Sequence, residues 1–322
     1  MGEVVQADLV IPQELGAMRL DQAMAQLMPE HSRSRIQDWI KAGALLVNGQ
    51  PRKPRDKVMV GDQISLNVTV EAVADWQAEN IDLNIVFEDE HLLVINKPAG
   101  LVVHPAAGHD SGTLLNALLH HCPDIDHLPR AGIVHRLDKD TTGIMVVAKT
   151  LVAHTSLVDQ LQERTMGREY EAVVQGEMTG GGKVAEPMAR HPKNRQKMAV
   201  VPNGKPALTH YRVLERFTGF THVRLKLETG RTHQIRVHMS HIHYPLVGDP
   251  LYGGRMRLPK GATESLQELL RQFRRQALHA KRLELCHPVS GEAMEWEVSL
   301  PDDLNELLTV LRQEAPYDPL GN

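Results

Sequence analysis

Hydrophobic positions along the chain follow two regimes, separated by an acidic stretch. In LDQAMAQLMP, Leu20, Ala23, Met24 and Leu27 recur at helical spacing until Pro29 stops the run. Ser32 is placed to cap a second helix, SRSRIQDWIKAG, with Ile36, Trp39 and Ile40 as its apolar stripe and Gly43 as its stop. LLVNGQ reads as a strand entering an Asn-Gly turn, and VMVGDQISLNV as two short strands around Gly61-Asp62. Residues 1–75 thus form a small α-β module. The acidic, weakly periodic stretch from Glu71 to Asp82 leads out of it, with residues 76–84 as the linker.

From Ile85 to the end, residues 85–322 read as one β-rich domain. IVFEDEHLLVINK predicts a hairpin with Glu88-Asp89-Glu90 at its tip, and TLLNALLHH a short helix. GIVHRLD and GIMVVAK are expected as strands, LVAHTSLVDQLQER as a helix and YEAVVQGEM as a strand. LTHYRVLERF and THVRLKLETG alternate as strands of a meander, and GRTHQIRVHMSHI opens a helix directly after a glycine. SLQELLRQFRRQALHA predicts an amphipathic helix, LELCHP and AMEWEVSL strands, and DDLNELLTVLRQE a final helix. The sum is an α+β class: a mixed, largely antiparallel sheet with peripheral helices, preceded by the small module.

Composition removes several function classes. The chain has 322 residues, 42% hydrophobic and 24% charged, as in ordinary globular proteins. No apolar run is long enough for a membrane span, and the N-terminus shows no secretory pattern. Cys122 and Cys286 belong to no CxxC pair, so two reduced thiols in a cytoplasmic protein are expected. A net charge of −4 argues against a polyanion partner, but the distribution of charge argues the other way. His31–Val60 holds seven Lys/Arg against two acids, Pro187–Val213 six against none, and Arg255–Arg282 eight against two. Seven acids gather between Glu71 and His91. Segregation of this kind builds a positive face on a near-neutral molecule and suits a nucleic-acid partner.

The candidate chemistry narrows by elimination. There is no P-loop and no GxGxxG, and Gly180–Gly182 reads as a turn. The histidines at 233, 238, 241 and 243 lack metal-site spacing and a carboxylate partner, so no metal is expected. What remains is polar groups at strand ends. IVHRLDKDTTG sets His135, Arg136, Asp138, Lys139 and Asp140 between two apolar runs. Tyr170 opens the strand GREYEAVVQ, and ETGRTHQIRVHM carries Arg231 and Arg236 at the head of a helix. Singly, each has a plain structural account: Asp138 closes a turn with Arg136 or Lys139, Tyr170 is a strand-edge aromatic, and Arg236 is half of a salt bridge. Together they fit one chemistry. A guanidinium can hold a buried carboxylate ionised as a nucleophile, and a phenol facing the same pocket can stack on a base and relay a proton. That set needs neither metal nor organic cofactor.

These motifs, with NKPAGLVVHP at 96–105 and PLVGDPLYGG at 245–254, resemble the RNA pseudouridine synthases. The likeness is to the large-subunit ribosomal RNA branch, and the segment SRSRIQDWIKAGALLVNGQPRK resembles the S4 RNA-binding module of that branch. The resemblance implies isomerisation of uridine to pseudouridine in 23S rRNA, at the three uridines of the helix 69 loop. Asp138 would be the nucleophile, at the uracil ring or the ribose carbon, Tyr170 would stack on the flipped base, and Arg236 would pair with Asp138. Arg136 would enter the space left by the base, and Lys97 would line the cleft with Arg231 and Gln234 as further RNA contacts. Arg33, Arg35, Lys41 and Lys53 of the module would meet the RNA backbone. Large-subunit rRNA or its assembly intermediates would be the partner of a cytoplasmic monomer that uses no cofactor. Two alternatives stand beside this: the same chemistry at other rRNA positions, and a non-catalytic S4-type assembly factor, which a substituted Asp138 or Tyr170 would have marked.

Overall fold

The computed structural model describes residues 3–29, 31, 33–70, 76–105, 111–259 and 261–317. Ser32, expected as a helix cap, and residues 71–75 of the acidic stretch lie outside them. The chain divides into two compact units, Met1–Trp76 and Gln77–Asn322.

The first unit runs β1 (Glu3–Val10), α1 (Leu20–Leu27), α2 (Arg33–Lys41), β2 (Leu45–Val47), β3 (Gln50–Pro51) and β4 (Gln63–Val70). Its sheet order is β1-β4-β2-β3. The apolar stripes of both helices meet that sheet: Leu20, Ala23, Met24, Ile36, Trp39 and Ile40 are buried with Leu45, Val47, Ile64 and Leu66. Each such side chain contributes roughly 1.5–3 kcal/mol. Two expectations fail here. Val58–Val60 is not a strand: the Asp62 carboxylate accepts the Met59 N–H at 2.7 Å and rounds the chain into a turn, leaving Met59 and Val60 exposed. In place of that strand, β4 pairs with β1 along its whole length and with β2 on its other side.

The second unit runs β5 (Ile85–Glu88), β6 (Leu92–Lys97), α3 (Leu114–His121), β7 (Thr142–Ala148), α4 (Leu151–Glu163) and β8 (Gly167–Gln175). Then follow β9 (Gly182–Val184), β10 (Met188–Arg190), β11 (Met198–Val200), β12 (Thr209–Phe217), β13 (Phe220–Leu227) and α5 (Gln234–His241). The chain closes with α6 (Glu264–Gln272), β14 (Leu278–Cys286), β15 (Ala293–Glu297) and α7 (Asp302–Glu314). The main sheet has the order β5-β6-β7-β14-β8-β13-β12-β9, with β15 on β14, and β10 and β11 form a separate hairpin. β7 and β14 pair parallel; the other adjacent pairs described are antiparallel. At that parallel junction a Cβ on Gly143 would lie 2.2 Å from the Ala280 carbonyl oxygen, and its φ is +117°. Only glycine lets β7 come so close. α6 and α7 cover one part of the sheet through Leu266, Leu270, Leu304, Leu307, Leu308 and Leu311.

Two sequence expectations are corrected in this unit. GIVHRLD is not a strand. Left-handed backbone at Arg130, Ala131 and Gly132 turns the chain, and Ile133 makes a single bridge to Val147. The imidazole of His135 takes the place of the next ladder bond, its Nε2 accepting the Val146 N–H at 3.1 Å. The helix expected over Ser265–Ala280 stops at Gln272, and Leu278–Ala280 instead enter β14, where they pair with β8.

Candidate active site

The loop entering β7 and the loop leaving β13 meet over the start of β8 and enclose a cleft of about 790 Å³. Six arginines line it (Arg130, Arg136, Arg164, Arg168, Arg231 and Arg236) against two acids, Asp138 and Glu228. Such a surplus of guanidinium in a concave site focuses positive potential on whatever enters.

Asp138 is held by its neighbours' backbone as much as by its own side chain. Its carbonyl accepts the Thr141 N–H at 3.1 Å. Lys97 Nζ donates to the Lys139 carbonyl at 2.9 Å, Arg275 to the Asp140 carbonyl at 3.3 Å, and Gln276 to Thr141 Oγ1 at 2.9 Å. The turn is therefore secured without the carboxylate, which pairs with neither Arg136 nor Lys139 among the described residues. Arg236 Nη1 donates to Asp138 Oδ2 at 2.8 Å, while Oδ1 lies 3.7 Å from His233 Nε2.

Arg236 is fixed from the other side. Its Nε and Nη2 reach the two oxygens of Asp249 at 2.7 and 2.9 Å. Asp249 is sealed from solvent and also accepts the backbone N–H groups of Leu251 and Tyr252 at 2.9 and 3.0 Å. Burial opposes both charges, yet the mutual hydrogen bonds prevail: the Asp249 pKa lies below the usual carboxylate range and that of Arg236 above its own. A carboxylate with four hydrogen bonds and a guanidinium with three are satisfied even when buried.

Tyr252 ties this pair to the remaining wall. The centre of the Arg236 guanidinium lies 5.1 Å from the Tyr252 ring centroid. The Tyr252 hydroxyl accepts the Met198 N–H at 2.8 Å and is hydrogen-bonded to His233 Nδ1, also at 2.8 Å. His233 Nε2 is the nitrogen that faces Asp138; burial lowers the His233 pKa, against the raising pull of Asp138. Gln234 stitches the loop before α5: its Oε1 accepts from Thr229 Oγ1 at 2.7 Å and the Arg231 N–H at 3.0 Å, and its Nε2 donates to the Leu208 carbonyl at 3.1 Å. Tyr170, from β8, stands buried in the same cleft, and burial raises the pKa of its phenol and keeps it neutral.

The arrangement presents one carboxylate with a single oxygen tied to a fixed guanidinium, beside a neutral phenol, in a basic cleft. The comparisons with known proteins agree with that chemistry. A family model for RNA pseudouridylate synthase matches residues 91–241, and one for the S4 domain matches residues 18–64. Ribosomal large subunit pseudouridine synthase D of Pseudomonas aeruginosa is 62% identical over 98% of this chain and 98% of its own length. The chain belongs to the RNA pseudouridine synthase family. The protein of the same name from Escherichia coli strain K12 is 56% identical over 98% of the synthase described here and 97% of its own length. Among solved structures, human RNA pseudouridylate synthase domain containing 4 aligns with a TM-score of 0.56 at 28% identity, covering 71% of this chain and 93% of that one.

Of the residues singled out from sequence, the synthase brings Asp138, Tyr170, Arg236, Arg136, Arg231 and Gln234 to the one cleft. Arg136 and Arg231 are exposed there. Two expected RNA contacts are corrected. Lys97 does not line the cleft: it is 1% exposed, and its ammonium donates to the carbonyls of Pro98, Leu101 and Lys139 at 2.8–2.9 Å. Burial brings its pKa down to about 8, against the opposing pull of Asp140 and Asp138. Gln234 is 2% exposed, and its amide is used up inside the loop. In the first unit, Arg33 is spoken for in part by Asp21, Lys41 pairs with Asp38, Arg35 is half-buried, and Lys53 is exposed. Sequence reasoning missed Asp249, Tyr252 and His233 as members of the site, although PLVGDPLYGG and GRTHQ contain them.

Among the described residues, Glu88, His121 and Cys122 form the one group close enough to hold a metal, their ligand atoms lying within 4.8 Å of one another. Lys149 already donates to Glu88 Oε1 at 2.7 Å, and burial raises the Cys122 pKa, so the donor set fits a cation poorly. No helix among the described residues is long and apolar enough to cross a membrane.

Proposed function

We propose that this synthase converts uridines of large-subunit ribosomal RNA to pseudouridine, with the three uridines of the helix 69 loop as its targets. The observation that carries the mechanism is the shared guanidinium: Arg236 grips Asp249 with two nitrogens and offers the third to Asp138, 2.8 Å away. Asp138 is the nucleophile in this reading. Its Oδ2 is occupied, its Oδ1 lies beyond hydrogen-bond reach of His233, and the rigid turn beneath it fixes where it points. Tyr170 stacks on the extruded uracil and serves the proton transfer at C5. A uridine inside a helical stack exposes neither face to a carboxylate, so the base is flipped, and Arg136, exposed and two residues from Asp138, fills the space it leaves.

Loop uridines cost least to extrude, which favours a stem-loop target. The rRNA assignment itself is supported by the names of relatives that match over nearly the whole chain. The first unit, with its S4 match, is the RNA-docking module through Arg33, Arg35, Lys41 and Lys53. The protein acts in the cytoplasm as a monomer on rRNA or its assembly intermediates. The test is pseudouridine mapping at base resolution in cells lacking the gene, complemented with wild type or Asp138→Asn. Loss of the three helix 69 modifications, restored by wild type and not by the variant, is expected. Modification by the Asn variant would remove Asp138 as nucleophile. Loss at other positions would move the target.

A further inference from the structure

Arg168 is a buried charge with no partner among the described residues. It is the second residue of β8, 7% exposed, on the same strand face as Tyr170. The other arginines of the cleft are exposed, as Arg130 and Arg136 are, or bonded: Arg164 to Glu228, Arg231 to the Pro206 carbonyl, and Arg236 to its two carboxylates. Arg168 has no hydrogen bond or ion pair among the described residues, and its Nε is sealed from solvent without an acceptor. Enclosing a guanidinium in this way is costly unless something pairs with it. Space is nevertheless kept for it. A Cβ on Gly230, in the loop that leaves β13, would lie 2.7 Å from Arg168 Nη1.

We propose that Arg168 donates to O4 of the flipped uracil and stabilises the negative charge that O4 gains during the reaction; this rests on the uridine-isomerising reading above. Residues two apart on a strand stand roughly 7 Å from each other. A donor so placed meets the edge of a ring whose face meets Tyr170. O4 is singled out by electron bookkeeping. If Asp138 adds to C6, the C5=C6 pair moves through C4 onto O4. If Asp138 attacks C1′ instead, the N1–C1′ bond breaks and its pair stays on the uracil, shared by N1, O2 and O4. Only O4 carries charge on both routes through a carbonyl at the ring's reacting edge. On either route C1′ leaves N1 with the bonding pair staying on the uracil and then bonds C5; the carboxylate is expelled from C6 or C1′, C5 loses its proton and N1 gains one, so no outside reagent is consumed. A donor aimed at charge that develops in the reaction acts on rate more than on affinity. A phosphate would find the exposed arginines at the mouth first; the depth of Arg168 beside Tyr170 suits the base.

Arg168→Met keeps the volume and removes the charge. Single-turnover release of tritium from a [5-³H]uridine stem-loop should slow by about a hundredfold or more, the cost typical of losing one such donor. The RNA dissociation constant and its salt slope should stay within about twofold of wild type. Because an unpaired buried charge has been removed, the variant should melt no lower than wild type. Arg168→Lys, which keeps a point charge, should recover part of the lost rate. An unchanged rate in the Met variant would remove the role, and weaker binding with a shallower salt slope would make Arg168 a phosphate ligand instead. A lowered melting temperature with no rescue by Lys would make it structural. Failure of wild type itself to release tritium, or release by Asp138→Asn, would count against the underlying reading and not against Arg168 alone.

Discussion

Asp249 never faces the substrate in this arrangement, yet it should be among the most sensitive residues of the fold. Its carboxylate is completely buried and takes two of the three hydrogen bonds that fix Arg236. Replacing one partner of a buried ion pair costs about 3–5 kcal/mol, because the other charge is left uncompensated. Asp138 still pairs with Arg236 in an Asp249→Asn variant, so the lower end, about 3 kcal/mol, applies. Domains of roughly 150–250 residues lose about 2–4 °C for each kcal/mol, which gives a melting point about 6–12 °C lower by calorimetry. Turnover should fall about a hundredfold at a temperature where the variant is folded, since a guanidinium freed on one side no longer places Asp138 to within an ångström. The double variant Arg236→Met, Asp249→Asn, in which the Asn carbonyl still accepts the Leu251 and Tyr252 N–H groups, separates the two effects. With both charges gone, stability should return to within about 2 kcal/mol of wild type while activity stays lost. An Asp249→Asn enzyme that melts within 2 °C or so of wild type and turns over normally would show that Arg236 does not depend on this clamp.

Three further outcomes follow from individual contacts. Lys97→Met should cost about 2–3 kcal/mol in chemical denaturation, because three carbonyls lose their donor, while the salt dependence of RNA binding stays as in wild type; a shallower slope would return Lys97 to the RNA contacts. Burial, aided by the charge of Arg168, holds the His135 pKa at about 3, below the ordinary 6.5, so the stability it provides is complete above about pH 6.5 and drains away as pH falls towards 3. His135→Gln, which can still accept the Val146 N–H, should flatten acid unfolding across that window by up to about 5 kcal/mol, and an unaltered acid profile would count against a buried neutral imidazole. Lys53→Ala should weaken RNA binding evenly across sequences and lower the salt slope by about one, as for one lost phosphate contact; sequence-dependent loss would point to base recognition by the first unit.

What the sequence made legible was whatever a local period or a local motif encodes. The stripes of α1 and α2, the hairpin of β5 and β6, and the strands β12 and β13 all follow from local spacing and the turns that bound it. The misreadings arise where tertiary contacts replace local ones. Ile133–Asp138 has a strand's apolar lead-in, but a side chain, His135, makes the bond that a strand's carbonyl would have made. Leu278–Ala280 carry a helix's composition, yet they enter the central sheet between β7 and β8. Lys97 sits in a motif beside the cleft, and nothing in NKPAG announces that its ammonium turns inward to gather three carbonyls. Asp249 was hidden for the same reason: its partner is an arginine thirteen positions earlier, on another element.

The two guanidiniums of the inner cleft explain why the site tolerates so much buried charge. Arg236 is over-satisfied, with Asp249 matching its charge in full before Asp138 is counted. Asp138 is therefore only lightly held by it, through one nitrogen, and the nucleophilic role proposed for it calls for such a free oxygen. Arg168 is the opposite case, a charge that no acid among the described residues pairs with. If Asp249 sat beside Arg168 instead, the free protein would be more stable, Arg236 would take both oxygens of Asp138, and no donor would remain for the base. Local charge balance is absent at Arg168 among the described residues and secured at Asp249, the distribution expected if, as proposed, charge develops on a ligand between Arg168 and Asp138.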